Sequence, residues 1–171
     1  AQSATDYPTK PVKVVVSFTA GGTTDIIARS VGNLLAEQFK QSFVVENKPG
    51  SGGNIGNEMV AKAPADGYTL TVASVGPMAI NPTLYKDLRY DPLTELVPVV
   101  LIADVPNVLV VSPKLPVNNY KEFVAYLKAQ PKGSMNYGST GVGTSAHLSS
   151  FMLMDALGAD AQHIPYKGAE A

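Results

Sequence analysis

The chain has no cysteine among its 171 residues. That excludes a disulfide framework, a Cys-ligated zinc site and a thiol nucleophile. Its two histidines, His147 and His163, have no cluster of carboxylates beside them, so no metal centre is expected. Neither sign of charge is in excess: 13 basic against 14 acidic side chains leave a net charge of −1. Nothing in that balance attracts nucleic acid or an anionic membrane surface, and a negatively charged ligand must be held by local groups. No run approaches the ~18 uninterrupted apolar residues of a spanning helix. The longest candidate, 97–105, is broken by Pro98 and Asp104. A signal-peptide pattern is absent too, and the small polar opening Ala1-Gln2-Ser3-Ala4-Thr5-Asp6 reads as what signal cleavage leaves behind.

What is present is a globular composition, 45% hydrophobic and 16% charged, long enough for a real core. Residues 12–18 are a β-branched run ended by Ala20-Gly21-Gly22, which predicts a buried strand. Thr23, Thr24 and Asp25 offer caps for a helix over 24–40, with Ile26, Ile27, Val31, Leu34, Leu35 and Phe39 as its apolar positions. A short strand over 43–47 leads into the loop Pro49-Gly50-Ser51-Gly52-Gly53. A second helix carries Ile55, Met59, Val60 and Ala63, with Asn54 as its expected cap and Pro64 as its stop. After the Asp66-Gly67 turn, 68–74 predicts a third strand. Strand, helix, strand, helix, strand is the pattern of a parallel sheet covered by helices.

Residues 76–98 carry four prolines, Pro77, Pro82, Pro92 and Pro98, and read as an irregular connector with a short helix near 83–86. Tyr85, Tyr90 and Tyr120 are expected to pack or to lie at the surface. Strands are expected at 101–103 and 108–112, split by Pro106-Asn107, and the crossing into a second lobe is placed there. A helix over 119–128, a strand over 135–138, a helix over 145–157 and a strand from 163 follow. The buried residues expected on the 145–157 helix are Leu148, Phe151, Met152 and Leu157.

Two glycine-rich strand-to-helix turns could carry chemistry. The first is Phe18-Thr19-Ala20-Gly21-Gly22-Thr23-Thr24-Asp25. Backbone N–H groups there point outward at the positive end of a helix, a nest for a carboxylate or phosphate, with hydroxyls added by Thr23 and Thr24. The other reading is a tight turn with Thr and Asp caps and no ligand. The second turn is Gly138-Ser139-Thr140-Gly141-Val142-Gly143-Thr144-Ser145-Ala146-His147. Gly141, Gly143 and Ala146 fit G-x-G-x-x-A, but the acidic residue due ~20 positions on is not at the end of the next strand. Gly138 and Gly143 fit a phosphate loop, yet Thr144 stands where that motif needs Lys. What survives is a second anion nest with His147 on the first helical turn, where a structural role is the competing reading. The loop 47–56 is a third glycine-rich turn, read as structural. No G-x-S-x-G elbow and no general-acid or general-base pairing supports catalysis.

Together these segments resemble the substrate-binding receptors of tripartite tricarboxylate transporters, the Bug-type family. The resemblance rests on Ala20-Gly21-Gly22-x-x-Asp25-x-x-Ala28-Arg29, Val45-Glu46-Asn47-Lys48-Pro49-Gly50-x-Gly52-Gly53-x-Ile55-Gly56 and Ala65-Asp66-Gly67-Tyr68-Thr69-Leu70. It continues through Asn81-Pro82-x-Leu84-Tyr85, Tyr137-Gly138-Ser139-x-Gly141-x-Gly143-x-x-x-His147-Leu148 and Pro165-Tyr166-Lys167-Gly168.

The resemblance implies an α/β type II periplasmic-binding-protein-like fold of two lobes with mainly parallel sheets flanked by helices, here truncated. Residues 1–100 would be the first part of lobe 1 and 101–171 the first part of lobe 2, with the C-terminal remainder of both absent. It implies a non-enzymatic periplasmic receptor without a cofactor, binding a small di- or tricarboxylate or related metabolite. The ligand set would be Phe18, Ala20, Gly21, Gly22, Thr23, Asp25, Ser74, Ser139, Thr140, Gly143, Thr144 and His147. The expected partner is a tripartite transporter permease. A membrane sensor ectodomain is the alternative partner, and an α/β enzyme acting on a phosphorylated substrate is the third reading. Unpaired strand edges in so short a chain also point to self-association.

Overall fold

The computed structural model describes residues 6–169. The opening run at 1–5, read as a processing remnant, and residues 170–171 lie outside the described residues. A three-stranded parallel sheet has the order β2-β1-β3, from β1 (Val12–Val16), β2 (Phe43–Asn47) and β3 (Thr69–Val72). Val14 stands opposite Val45 on one side and Leu70 on the other. As the central strand, β1 is covered on both faces, which is why it is a near-continuous valine run rather than an alternating one. Val12, Val14, Val15 and Val16 are all buried.

Helix α1 (Thr23–Phe39) packs Ala28 on Val14 and Val16, with Phe43, Val45 and Val72 around them. Helix α2 (Asn54–Ala61) serves the other face, where Asn57 donates to Ser17 Oγ at 2.9 Å and accepts from Thr71 Oγ1 at 3.1 Å. Thr71 pairs in register with Val15, so it shares the face opposite Val14. All three strands run the same way, so the turns after them gather at one edge of the sheet.

The expected α1 face needs correction. Ile26 and Leu34 are exposed, and the buried residues of α1 are Asp25, Ala28 and Gly32. Small residues let the helix approach the strands closely: a Cβ on Gly32 would lie 3.6 Å from Phe43. The connector forms a π-helical turn, Gly76–Ile80, followed by α3 (Asn81–Leu84), so the short helix sits earlier than 83–86. Pro82 falls in the first turn of α3, where its missing N–H costs nothing. Tyr90 is buried and Tyr120 exposed.

A second sheet pairs β4 (Met135–Ser139) with β5 (Ala161–Pro165) in parallel. Helices α4 (Tyr120–Ala129) and α5 (Ser145–Leu157) cover it, burying Phe123, Leu127 and Met154 against Met135, Tyr137 and Ala161. Asn119 caps α4 by accepting from the Glu122 N–H at 3.0 Å. The expected inward set of α5 is overturned in part: Phe151 and Met152 are exposed, while Met154 is buried. Apolar residues cover most of that helix surface, so its sequence alone does not set the phase.

The strands expected at 101–103 and 108–112 do not form. Residues 97–111 run without secondary structure, with Leu101 84% and Val110 80% exposed. β-Propensity requires a neighbour to pair with, and the described residues offer this segment none. We expect the 171-residue chain to self-associate through that strip in a concentration-dependent way, as read by light scattering after size exclusion. The double variant L101K/V110K should shift the population toward monomer; association unchanged by it would place the contact elsewhere.

Candidate functional site

The turn between β1 and α1 is organised by one carboxylate. Asp25 is buried, and it accepts from the Gly21 N–H at 2.9 Å, Arg29 Nε at 3.0 Å and Asn47 Nδ2 at 2.9 Å. The same Asn47 amide donates to the Phe18 carbonyl at 3.0 Å. The hydrogen bond from Arg29 leads the effects that hold the Asp25 carboxyl down to about 2. Gly22 is the N-cap of α1, so Thr23, Thr24 and Asp25 belong to the first turn instead of capping it. The first intrahelical bond is from the Ile26 N–H to the Gly22 carbonyl at 3.0 Å. The amides of Thr23, Thr24 and Asp25 therefore have no partner within the helix and lie at its positive end.

The turn between β4 and α5 repeats this layout with different anchors. Thr144 is the N-cap; its Oγ1 donates to the Gly141 carbonyl at 2.8 Å and accepts from the His147 N–H at 3.4 Å. The Ser139 hydroxyl is buried, 3.1 Å from the Gly141 carbonyl and 2.6 Å from His163 Nε2. His147 Nδ1 accepts from the Gly143 N–H at 3.3 Å. Leu148 starts the helical ladder on the Thr144 carbonyl, which leaves the amides of Ser145 and Ala146 without a partner within the helix.

The two turns are brought onto one face. The segment after β5 touches both: a Cβ on Gly22 would lie 3.7 Å from Ala169 Cβ, and one on Gly141 would lie 3.2 Å from the Tyr166 carbonyl. Between them stands the third glycine loop, whose Gly53 lies against the Phe18 ring. Gly52, at φ +60°, has no room for a Cβ, which would overlap the Val142 carbonyl. Gly143, at φ +82°, meets the Asn81 amide in the same way. Tyr85 adds a hydrogen bond to the Val142 carbonyl at 3.1 Å.

Behind this contact, Asn54 Oδ1 accepts from Asn81 Nδ2 at 2.6 Å and from Tyr90 OH at 3.2 Å. Asn54 is thus a buried brace rather than the cap expected of it, the N-cap of α2 being Gly53. The one Tyr90 hydroxyl proton is shared with the closer Pro77 carbonyl at 2.7 Å, and burial pushes its pKa up to about 12.

Of the expected ligand residues, Phe18, Gly143 and Thr144 are buried parts of the turns, and Ser139 faces inward toward His163. Gly21 and Asp25 are bonded to each other, while Ala20 and Thr23 are exposed beside Gly22. Ser74 lies half-buried just past β3, and Thr140 and His147 are half-buried at the second turn. His163 was missed: the sequence weighed it only as a metal ligand and as the start of a strand, and only the pairing of β5 with β4 puts it beside Ser139.

Two open cavities lie off this face. One of about 300 Å³ is lined by α2 and residues 85–90, and one of about 350 Å³ lies between Leu109, Val111 and Phe123. Neither is lined by residues of the two turns, and the second borders the unpaired strip. Among the described residues no group of three or more His, Asp or Glu side chains could hold a metal ion, and no helix is long and apolar enough to cross a membrane.

The α/β fold is shared with solved periplasmic binding proteins. The structure of the periplasmic binding protein BugD matches with a TM-score of 0.88 at 40% identity, over 95% of this chain and 54% of that one. A structure of R. palustris Rpa4515 with adipate matches with a TM-score of 0.92 at 42% identity, over the same shares. Among sequences, protein BugT of Bordetella pertussis is 39% identical over 168 residues, 98% of this chain and 51% of BugT. The family model described as tripartite tricarboxylate transporter family receptor matches residues 27–171, and the chain belongs to that family. The family is one of solute receptors rather than enzymes, which removes the phosphorylated-substrate reading. The chain spans about half the length of the relatives it matches.

Replacing Asp25 should loosen the first turn as a unit. We expect D25A to lose about 2 kcal/mol of stability at neutral pH, because three donors lose their shared acceptor. The native pKa lies below the ordinary carboxylate value, so this contribution is present above about pH 4 and lost as pH falls toward 2. Denaturant melts from pH 7 to 2 should therefore bring the two proteins together at the acid end. A constant gap between them would show that the carboxylate charge is not what holds the turn.

Proposed function

We propose that this chain is the N-terminal part of a periplasmic receptor that binds a small organic carboxylate between two lobes and delivers it to a tripartite tricarboxylate transporter permease. Residues 1–100 belong to the first lobe and 101–171 to the second. The observation that carries the reading is the placing of two helix N-termini, each with first-turn amides lacking an intrahelical partner, on one face of the protein. Arg29, the cation closest to the first turn in sequence, is committed to Asp25 at 3.0 Å. A ligand carboxylate is then held by oriented amides of residues 23–24 and 145–146, with Thr23, Thr140 and His147 as side-chain donors at the rim. Gly21, Asp25, Ser139 and Thr144 shape the turns from behind, and Phe18, Ala20, Gly22, Ser74 and Gly143 line the approach.

The adipate held by the similar R. palustris protein supports a dicarboxylate as the ligand class. The periplasmic character of BugD supports an exported location. The alternative of a sensor ectodomain as partner draws no support from these relatives.

The test is thermal stabilisation of the full-length protein by adipate, malate, citrate and inorganic phosphate. At about 100 times Kd a bound carboxylate adds about 2.7 kcal/mol to the native state, a clear rise in Tm. A shift with phosphate and none with any carboxylate would replace the ligand class.

A further inference from the structure

The parallel register of β4 and β5 sets Tyr137 opposite His163. The first turn of α5 then lays His147 on His163, with ring centroids 4.0 Å apart and planes 17° from parallel. Tyr137 stacks on His163 as well, at 5.0 Å and 22°. The bond from the Gly143 N–H to His147 Nδ1 fixes the neutral tautomer of that ring, leaving its proton on Nε2. His163 Nε2 is engaged by the Ser139 hydroxyl at 2.6 Å.

Two stacked imidazoles cannot both be charged without a counter-ion. The titratable group seen against the pair is Tyr137 from β4, stacked on His163; Tyr85 is bonded to the Val142 carbonyl and the Tyr166 ring lies by Gly138. Lys132 ahead of β4, Asp155 on α5, Asp160 ahead of β5 and Lys167 behind it make no ion pair with either ring among the described residues. Burial pushes both imidazoles below the ordinary histidine value, and His147 pushes His163 down further. Both rings therefore rest neutral near pH 7.

This inference rests on the receptor reading above and deepens it. We propose that the stacked pair of His147 and His163 is a proton-linked carboxylate subsite, in which a dicarboxylate bound at the first turn of α5 supplies the missing counter-ion and one proton moves from solvent onto the pair. One N–H bond forms at an imidazole nitrogen of His163, since His147 Nδ1 is taken by the Gly143 N–H, as one bond to hydrogen breaks in a solvent hydronium or buffer acid, so the complex holds ligand plus one proton. Ser139 is the positioning residue that keeps His163 against His147. The sign follows from linkage. The bound complex holds its proton more tightly than the free protein, so affinity rises as pH falls through the bound pair's titration and is flat well above it.

The experiment is titration calorimetry of the full-length protein with adipate, malate and citrate, at pH 6 and pH 8, in two buffers of different ionisation enthalpy. We expect a several-fold tighter Kd at pH 6, and a buffer-dependent heat equal to uptake of a fraction approaching one proton. In H163Q the buffer dependence and the pH dependence should both vanish, whatever its remaining affinity. Should H163Q fail to fold, the imidazole proton resonances of the unaltered protein give the same answer, one midpoint moving up when ligand is added. Carboxylate binding with equal heats in both buffers and unmoved midpoints overturns this subsite and leaves the receptor reading intact. Failure of every carboxylate to bind at either pH overturns both.

Discussion

The carboxylate of Asp25 fixes most of what the first glycine turn can do. It joins the turn, the first helical residues and the end of β2 through Gly21, Arg29 and Asn47. A negative group at a site for an anion would ordinarily repel its ligand, by about 1 kcal/mol at 4 Å in water and more where water is thinned out. The Arg29 pairing at 3.0 Å cancels that charge locally, so the turn keeps its anchor and still presents the positive helix end.

Opposite this turn, the structure depends on what glycine leaves out. Backbone is pressed on backbone where residues 141–143 cross Gly52, Gly76 and Asn81, and side chains at those glycines would force the loops apart. The brace beneath is polar and buried: Asn54, Asn81 and Tyr90 bond one another rather than packing as hydrocarbon. Hydrogen bonds are directional where hydrocarbon contacts are not, so such a brace fixes position as well as distance.

How much of this could be read from the chain follows from the range of each interaction. The β-α-β-α-β opening was legible because each element declares itself within about ten residues by valine runs, helical spacing and glycine stops. The two turns were legible for the same reason. The segments 101–103 and 108–112 read as strands because Leu, Ile and Val fit strands anywhere, while pairing is decided by a partner distant in sequence. The inward face of α5 was lost because Phe151, Met152 and Met154 are equally apolar and only the elements α5 packs against, β4 and β5 with α4, choose among them. Asp25 looked like a cap, since nothing local reveals that Asn47 will reach it from the next strand. His163 was invisible as a site residue until the strand register supplied its neighbours.

The same distinction bears on motion. Residues 97–111 join the two sheets and carry no regular structure, so the relation of the turns is set mainly where the loops touch. That contact consists of close backbone approaches and the hydrogen bond from Tyr85 to the Val142 carbonyl, not of an interlocked apolar core. The hydrophobic clusters stay separate, one about Val14, Val16 and Ala28, the other about Phe123, Leu127 and Met154. Parting the turns would therefore expose little core on either side, and a net hydrogen bond is worth only about 1 kcal/mol. In the receptor proposed above, a ligand gripping both turns would need to supply only a few kcal/mol to decide between parted and joined states.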